Sequence, residues 1–88
     1  MKRVDILNTA AQLIDNDRAQ QYGDAKSEFA RVAVIWSELV GTPVSVQDVA
    51  LLMIALKLVR ATRNPKHADN WIDICGYAAL GGEIATDE

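Results

Sequence analysis

The sequence predicts an all-α fold: a compact bundle of about four helices, built from a single domain that covers residues 1–88. Aliphatic residues recur at three- and four-residue spacing along most of the chain, as they do on one face of a helix. Glycine and proline interrupt this pattern at three places and leave four segments of helical length. These interruptions are Gly23, Gly41-Thr42-Pro43 and Asn64-Pro65.

The composition agrees with a helical bundle. Half of the residues are hydrophobic but only 6% are aromatic, so aliphatic side chains and alanine must supply the core. With 88 residues the chain suits one domain, and a domain of this size buries only about 60–65% of the surface that its unfolded chain exposes. The core is therefore expected to be small.

The first two predicted helices have the amphipathic pattern of surface helices. Asp24 is placed to cap the second helix, and Gly41 is placed to end it. The predicted apolar stripe of the first helix consists of Ile6, Leu7, Ala10, Leu13 and Ile14. That of the second consists of Phe29, Val32, Ala33, Trp36, Leu39 and Val40.

The third predicted helix is apolar on all sides. Ser45, with Asp48 three positions later, predicts its N-terminal cap, and the eight residues from Val49 to Leu56 are all hydrophobic. Three short neighbouring helices could hardly enclose such a helix, so we expect homo-oligomerisation to complete the bundle. The alternative is a central helix that its own chain wraps completely.

The fourth predicted helix runs from about Ala68 to Ile84 and contains three glycines. Each internal glycine costs about 1 kcal/mol relative to alanine, so we expect a packing or ligand-access reason for them. The alternative is that Gly81-Gly82 simply ends the helix. The residues predicted to face the core are Trp71, Ile72, Ile74, Cys75, Ala78 and Ala79.

Charge and cysteine content narrow the partners and the compartment. The net charge is −3 and both signs are spread along the chain, which argues against strong nonspecific binding of nucleic acid or of an anionic membrane. The longest apolar run falls far short of the roughly 20 residues that span a bilayer. The single cysteine, Cys75, cannot form an intramolecular disulfide, and the N-terminus lacks a signal-peptide core. We therefore expect a cytoplasmic protein.

Positive charge is concentrated after the apolar run of the third helix. Lys57 has apolar neighbours, so its stem must lie along buried surface and its ammonium group needs an anionic partner or a route to water. Four further basic residues follow: Arg60, Arg63, Lys66 and His67. Together they predict a clamp for phosphate groups. The alternative is that they only offset the dipole at the end of the helix.

Two carboxylates, Asp69 and Asp73, precede Tyr77 at four-residue spacing, which places all three on one face of the fourth helix. The carboxylates could hold a hydrated Mg²⁺ ion, or they could pair with the basic residues of the third helix. The sequence contains no Cys and His cluster of the kind that binds zinc, and no arrangement of nucleophile and base.

A polar segment at residues 18–25 is a third candidate for ligand binding. It contains Arg18 and Tyr22 and precedes the second helix. Backbone amides at a helix N-terminus can face an anion, and Tyr22 could stack on a base. A plain turn between helices is the alternative.

Four stretches of the sequence carry a family resemblance. They are Tyr22-Gly23-Asp24, Asp48-Val49-Ala50 leading to Lys57-x-x-Arg60, Asn64-Pro65-Lys66-His67, and the stretch WIDICGYAAL from Trp71 to Leu80. Together they resemble an uncharacterised domain family of phages and prophages, and the resemblance covers nearly the whole chain. More distantly, the pattern D-x-x-G-Y-A is similar to small phage domains related to MazG-like all-α nucleotide pyrophosphohydrolases. This distant resemblance implies a helical oligomer that handles nucleotides.

The chain also departs from the MazG pattern. MazG-type hydrolases carry E-x-x-E on one helix and E-x-x-D on a later one, whereas this chain has Asp24 and Glu28, then Asp69 and Asp73, at a spacing of four. We therefore expect binding of a phosphorylated nucleotide or nucleotide-based signal without turnover and without a cofactor. The predicted ligand-binding residues are Arg18, Tyr22, Lys57, Arg60, Arg63, Lys66, His67 and Tyr77.

Two alternatives to nucleotide capture remain open. One is a Mg²⁺-dependent nucleotide pyrophosphohydrolase in which Asp69 and Asp73 hold the metal, joined in one version by Asp24 and Glu28. The other is an interaction protein whose polar groups only stabilise the oligomer. Free basic groups at a pocket would favour capture, converging acids would favour hydrolysis, and mutual pairing would favour a structural role.

Overall fold

The computed structural model of the chain describes residues 1–17 and 24–86, and within these ranges it contains four α-helices and no strand. The all-α prediction with four helices is confirmed. A π-helical turn, Leu13–Asp17, continues the first helix. The helices are α1 (Arg3–Gln12), α2 (Ala25–Val40), α3 (Val46–Arg63) and α4 (Ala68–Thr86).

The predicted ends of α2 are confirmed. The carboxylate of Asp24 accepts a hydrogen bond of 3.3 Å from the backbone N–H of Lys26, which satisfies one of the free donors at the start of the helix. At the other end Gly41 adopts a left-handed conformation with φ of 76°, and its N–H donates to the carbonyl of Ser37. Glycine adopts this conformation without the steric cost that a Cβ atom imposes, so it closes the helix.

The predicted cap of α3 is also confirmed. The backbone N–H of Asp48 donates to Ser45 Oγ at 3.2 Å, and the backbone N–H of Ser45 donates to Asp48 Oδ2 at 3.1 Å. This reciprocal pair satisfies two donors at once. It fixes where α3 begins, and thereby which residues of α3 meet the other helices.

Helices α3 and α4 form an antiparallel pair at the centre of the fold, with α1 packed on α4 and α2 packed mainly on α3. The buried core lies between α2 and α3 and consists of Phe29, Ala33, Val49 and Ala50. Val49 is only 1% exposed. The core is built mainly from alanine and aliphatic residues, as the composition predicts.

Glycine allows α3 and α4 to approach each other closely. A Cβ atom added at Gly81 would lie 2.6 Å from the Cβ of Ala50, far inside van der Waals contact. Helix α4 continues past this glycine to Thr86, so the alternative in which Gly81-Gly82 ends the helix is wrong. The packing reason expected for the internal glycines holds at Gly81.

The face of α4 that is buried differs from the predicted one. Ile72 is buried as expected, but Trp71 is 46% exposed, and Ala78 and Ala79 are exposed as well. Helix α4 packs against both α1 and α3. Gly76 faces Ile14 and Gly81 faces Ala50, so the buried positions do not form a single stripe. Those positions are Asn70, Ile72, Gly76 and Gly81.

The predicted apolar stripes of the first two helices are only partly covered. On α1, Ala10 is buried while Leu7 is 59% exposed. On α2, Phe29 and Ala33 are buried while Leu39 is 77% exposed. Periodicity identifies an apolar face but not the neighbour that covers it, and the other helices reach only part of these two faces.

The apolar third helix is not enclosed by the described part of its own chain. Val49 and Ala50 are buried, but Leu51 is 60% exposed, Leu52 46% and Leu56 41%. The alternative in which the chain wraps this helix completely is therefore wrong for residues 1–17 and 24–86, and homo-oligomerisation stays a prediction. In the same ranges, no helix combines the length and the apolarity needed to cross a membrane.

The contact between Gly81 and Ala50 predicts that Gly81→Ala destabilises the domain. The added methyl group must push α3 and α4 apart, at a cost of about 1–3 kcal/mol from overpacking. Gly82→Ala is the matched control, because a Cβ atom there meets nothing within 4 Å and alanine favours the helix. Urea unfolding followed by circular dichroism, at equal protein concentration, measures both variants. Equal stability of the two variants would contradict the prediction.

Candidate functional site

Lys57 of α3 and Asp73 of α4 form an ion pair across the contact between these helices. The ammonium nitrogen lies 2.9 Å from Asp73 Oδ2, and the two side chains are 15% and 27% exposed. The apolar neighbours of Lys57 in α3 explain why its stem is buried, and the carboxylate on α4 supplies the anion that the ammonium group needs. The alternative in which a carboxylate of the fourth helix pairs with a basic residue of the third helix is therefore correct for Asp73 and Lys57.

Four exposed basic residues surround the corner at which α3 ends and α4 begins, and we call them the basic corner: Arg60, Arg63, Lys66 and His67. The connection between the two helices is short, since the N–H of His67 donates to the carbonyl of Asn64 at 3.1 Å. The last turn of α3 therefore lies beside the first turn of α4.

Arginine and lysine supply the positive charge of the basic corner. Within the part of the chain that the structure describes, Arg60, Arg63 and Lys66 make no ion pair. His67 lies 3.6 Å from Asp69 Oδ2, and both side chains are more than half exposed. The corner therefore carries uncompensated positive charge in contact with solvent.

Trp71 lies against the basic corner, although its spacing predicted a place in the core. Its indole N–H donates to the carbonyl of Pro65 at 2.9 Å, and the residue is 46% exposed. This hydrogen bond holds the indole against the connection that carries Lys66. The sequence signal that could have located it is the position of Trp71, six residues after Pro65 and close to the start of the following helix.

The acidic residues do not converge. Asp73 is engaged by Lys57, and Asp69 is 74% exposed beside His67. Asp24 accepts hydrogen bonds from the first turn of α2. In residues 1–17 and 24–86, no three side chains of His, Cys, Asp or Glu come close enough together to hold a metal ion.

Tyr77 lies apart from the basic corner and borders an apolar cleft of about 310 Å³ between α3 and α4. Its ring stacks on Phe29, with centroids 6.2 Å apart and an angle of 29° between the planes. None of the described residues that line the cleft is charged. Tyr77, one of the predicted ligand-binding residues, therefore lies beside an apolar cleft and not among the basic residues. Two other predicted ligand-binding residues, Arg18 and Tyr22, lie outside the described residues. The sequence analysis did not predict this cleft. The available signal was Gly81-Gly82, because both glycines line the cleft and have no side chain to fill it.

These features define a small all-α domain whose central helix pair carries an internal ion pair and a basic corner. The chain belongs to the family described as Domain of unknown function (DUF6378), whose sequence profile matches residues 5–85. Together with the two phage relatives described next, this match confirms the predicted resemblance to an uncharacterised phage family. The more distant MazG-like similarity stays a prediction.

Two relatives are phage proteins. The chain is 43% identical over 76 residues to the Gene 55 protein of Mycobacterium phage L5, covering 85% of this chain and 49% of the relative. It is 36% identical over 73 residues to the Gene 55 protein of Mycobacterium phage D29, covering 83% of this chain and 48% of the relative. The chain thus spans about half the length of the curated relatives it matches. No solved structure matches the chain.

The Lys57–Asp73 pair predicts strong coupling between its two partners in a double-mutant cycle. Lys57→Met keeps the stem but leaves the partly buried carboxylate without its cation, so the variant should be less stable than the parent. Adding Asp73→Asn removes that uncompensated charge and should restore part of the stability, with a coupling free energy of about 1 kcal/mol. Urea unfolding of the parent, both single variants and the double variant measures this energy.

The exposed pair of His67 and Asp69 is the matched control for this cycle. Both side chains are more than half exposed, so water screens the interaction and His67→Gln with Asp69→Asn should show little coupling. Additive effects of Lys57→Met and Asp73→Asn, indistinguishable from the control cycle, would show that the internal pair does not stabilise the fold.

Proposed function

We propose that this domain binds a phosphorylated nucleotide, or a nucleotide-based signal, through its phosphate groups and does not turn it over. The observation that carries the proposal is the basic corner, where Arg60, Arg63 and Lys66 are exposed and have no ion-pair partner among the described residues. A cation that is already paired with a carboxylate of its own chain binds an anionic ligand only weakly. These three cations have no such partner among the described residues, so they can bind phosphate. We also propose that the domain acts in the host cytoplasm, where such a nucleotide would be found.

The chemistry of the corner suits phosphate. Each guanidinium group can donate two parallel hydrogen bonds to phosphate oxygens, and the lysine ammonium adds a mobile point charge. The corner also lies beside the N-terminus of α4, where free backbone N–H groups favour an anion. Three cations match the charge of a diphosphate or triphosphate better than that of a single carboxylate.

Trp71 supports a nucleotide rather than a simple phosphate. Its indole is partly exposed and is held against the basic corner by the hydrogen bond to Pro65. A base can stack on an indole ring while its phosphates reach the neighbouring cations. Tyr22 and Arg18, which the sequence suggested for the same tasks, remain part of the proposal.

Binding without turnover is supported by the pairing of Asp73 with Lys57, which leaves the exposed basic residues to contact the phosphates. Of the two carboxylates that could hold a metal, Asp73 is bound by Lys57. Cations therefore neutralise the phosphates in the proposed complex, and Mg²⁺ is not needed for binding. Because Asp73 already neutralises Lys57, Lys57 contributes less to the proposed site than Arg60 does.

We predict that Arg60→Ala weakens binding of ATP by at least about tenfold, because a charge-assisted contact contributes roughly 1.5–3 kcal/mol. Isothermal titration calorimetry in the presence of EDTA measures the affinity, which should persist without divalent metal. Arg31→Ala is the matched control, since Arg31 is exposed on α2 and its removal changes the net charge equally. GTP and inorganic triphosphate, titrated in parallel, separate recognition of the base from recognition of the phosphates.

Three results would reject nucleotide capture at the basic corner. These are no binding of any of the three probes, equal loss of affinity in the Arg60 and Arg31 variants, and loss of all binding in EDTA. The last result would favour the second candidate instead.

The second candidate is a Mg²⁺-dependent nucleotide pyrophosphohydrolase of the MazG-like kind. It is favoured by Asp69 and Asp73, which lie on successive turns of one face of α4, and by the D-x-x-G-Y-A pattern. These two carboxylates would hold the ion, which would activate a water molecule for attack on phosphorus. The ion would have to compete with Lys57 for Asp73, which is why this candidate ranks second.

The two candidates differ in what Asp73→Asn does. If the domain is a hydrolase, this variant abolishes release of pyrophosphate from a nucleoside triphosphate in the presence of Mg²⁺ while circular dichroism remains unchanged. If the domain only binds the nucleotide, neither the parent nor the variant releases pyrophosphate. A coupled pyrophosphate assay on both proteins distinguishes the outcomes.

A further inference from the structure

Among the described residues, Trp71 is the aromatic side chain that is most exposed, and its orientation limits how it can contact a ligand. Phe29 is buried, Tyr77 stacks on it, and Trp36 packs against the core, whereas Trp71 is 46% exposed. The indole Nε1–H donates to the carbonyl of Pro65 at 2.9 Å. Because this N–H is the one hydrogen-bonding group of an indole, the side chain has no donor left for the edge of a base.

The same hydrogen bond orients the indole ring. The N–H bond lies in the plane of the ring, so donation to Pro65 turns the edge of the ring towards the connection between α3 and α4. The flat faces lie perpendicular to this edge, and an exposure close to one half agrees with one open face. Lys66 follows Pro65 directly in the chain. A base stacked on the open face would therefore bring its phosphates close to a cation of the basic corner.

The alignment of the helix pair brings Trp71 to the level of a second cation. Asp73 lies opposite Lys57, and α3 and α4 run antiparallel. Trp71 precedes Asp73 by two residues, and Arg60 follows Lys57 by three. With a rise of about 1.5 Å per residue, Trp71 and Arg60 lie at nearly the same height along the helix pair.

A flat aromatic face recognises bases differently from a set of hydrogen-bonding groups. Every base has a π-face, so stacking on an aromatic ring tolerates all bases and differs among them only through the stacked area. Strong discrimination requires polar groups in a site that excludes water, because a wrong base must leave them unpaired. The basic corner is exposed to solvent, so a wrong base incurs little penalty there.

The uncharged polar residues near the basic corner do not supply this discrimination. The hydroxyl group of Thr62 donates to the carbonyl of Val59 at 2.7 Å. Asn64 at the end of α3 is exposed, so water competes for its amide group. Asn70 is only 6% exposed and is therefore largely closed to a ligand.

We propose that the basic corner binds purine and pyrimidine nucleotides alike, because the base stacks on Trp71 while the exposed cations of the corner hold the phosphate groups. This inference rests on the proposed function and adds to it which nucleotides the site accepts. The number of phosphate groups, and not the identity of the base, determines the affinity. Purines bind somewhat more tightly than pyrimidines, since their larger rings cover more of the indole.

The first test compares bases in the unmodified chain, so it does not depend on the folding of a variant. Isothermal titration calorimetry at one salt concentration measures the affinities for ATP, GTP, CTP and UTP. All four should agree within about tenfold, because the nucleotides differ only in stacking. AMP should bind at least about tenfold more weakly than ATP, because it has fewer charge-assisted contacts.

The second test separates the face of Trp71 from its hydrogen bond. Trp71→Leu removes the aromatic face, so it should weaken binding of all four nucleoside triphosphates at least about fivefold. Binding of inorganic triphosphate, which has no base, should change less. Trp71→Phe keeps an aromatic face but cannot donate to Pro65, so it should lose less affinity for nucleotides than Trp71→Leu does. Circular dichroism checks that both variants are folded.

Several results overturn the inference while phosphate capture stands. These are a preference of more than about tenfold for one base, an equal loss of nucleotide and triphosphate binding in folded Trp71→Leu, and a loss in Trp71→Phe as large as that in Trp71→Leu. In each case Arg60→Ala can still weaken binding as predicted. If neither the nucleotides nor inorganic triphosphate bind to the parent, the proposed function fails together with this inference.

Discussion

The close contact between α3 and α4 determines most of what this structure can do. It exists because position 81 has no side chain, so that the backbone of α4 reaches the methyl group of Ala50. This contact brings Lys57 within 2.9 Å of Asp73 and leaves a shallow cleft along one side of the helix pair. It also places the cations at the end of α3 beside the start of α4.

The parts of the fold that the sequence predicts well are those that depend on local chemistry. Asp24, Gly41 and the pair of Ser45 and Asp48 act on backbone groups only a few residues away, so their effect can be predicted without knowledge of the rest of the chain. The side of α4 that is buried cannot be predicted in this way. It depends on which helices pack against it, and Trp71 is exposed because it lies at the corner and not between α4 and a neighbour.

The candidate site shows the same limit. Composition and spacing identify Lys57 as a cation that needs a partner, and they place Asp73 on a helix that could supply one. They cannot show that Asp73 and not Asp69 is that partner, because the choice depends on how the two helices align along their axes. The structure separates the charges into a pair that serves the fold and a group that faces solvent. That separation, more than the number of basic residues, gives nucleotide capture its physical support.

The ion pair and the glycine contact together also determine how α4 can slide along α3. A shift of one turn in one direction would place Tyr77 opposite Lys57 and leave the ammonium group without a carboxylate in a mostly buried position. A shift of one turn in the other direction would offer Asp69 to Lys57, but it would bring the ring of Tyr77 to the place where even a methyl group does not fit against Ala50. The unpaired charge of Lys57 thus disfavours one misalignment, and the bulk of Tyr77 disfavours the other. The contacts of Ala50 and Lys57, which lie 7 residues apart along α3, are therefore sufficient to define a single register.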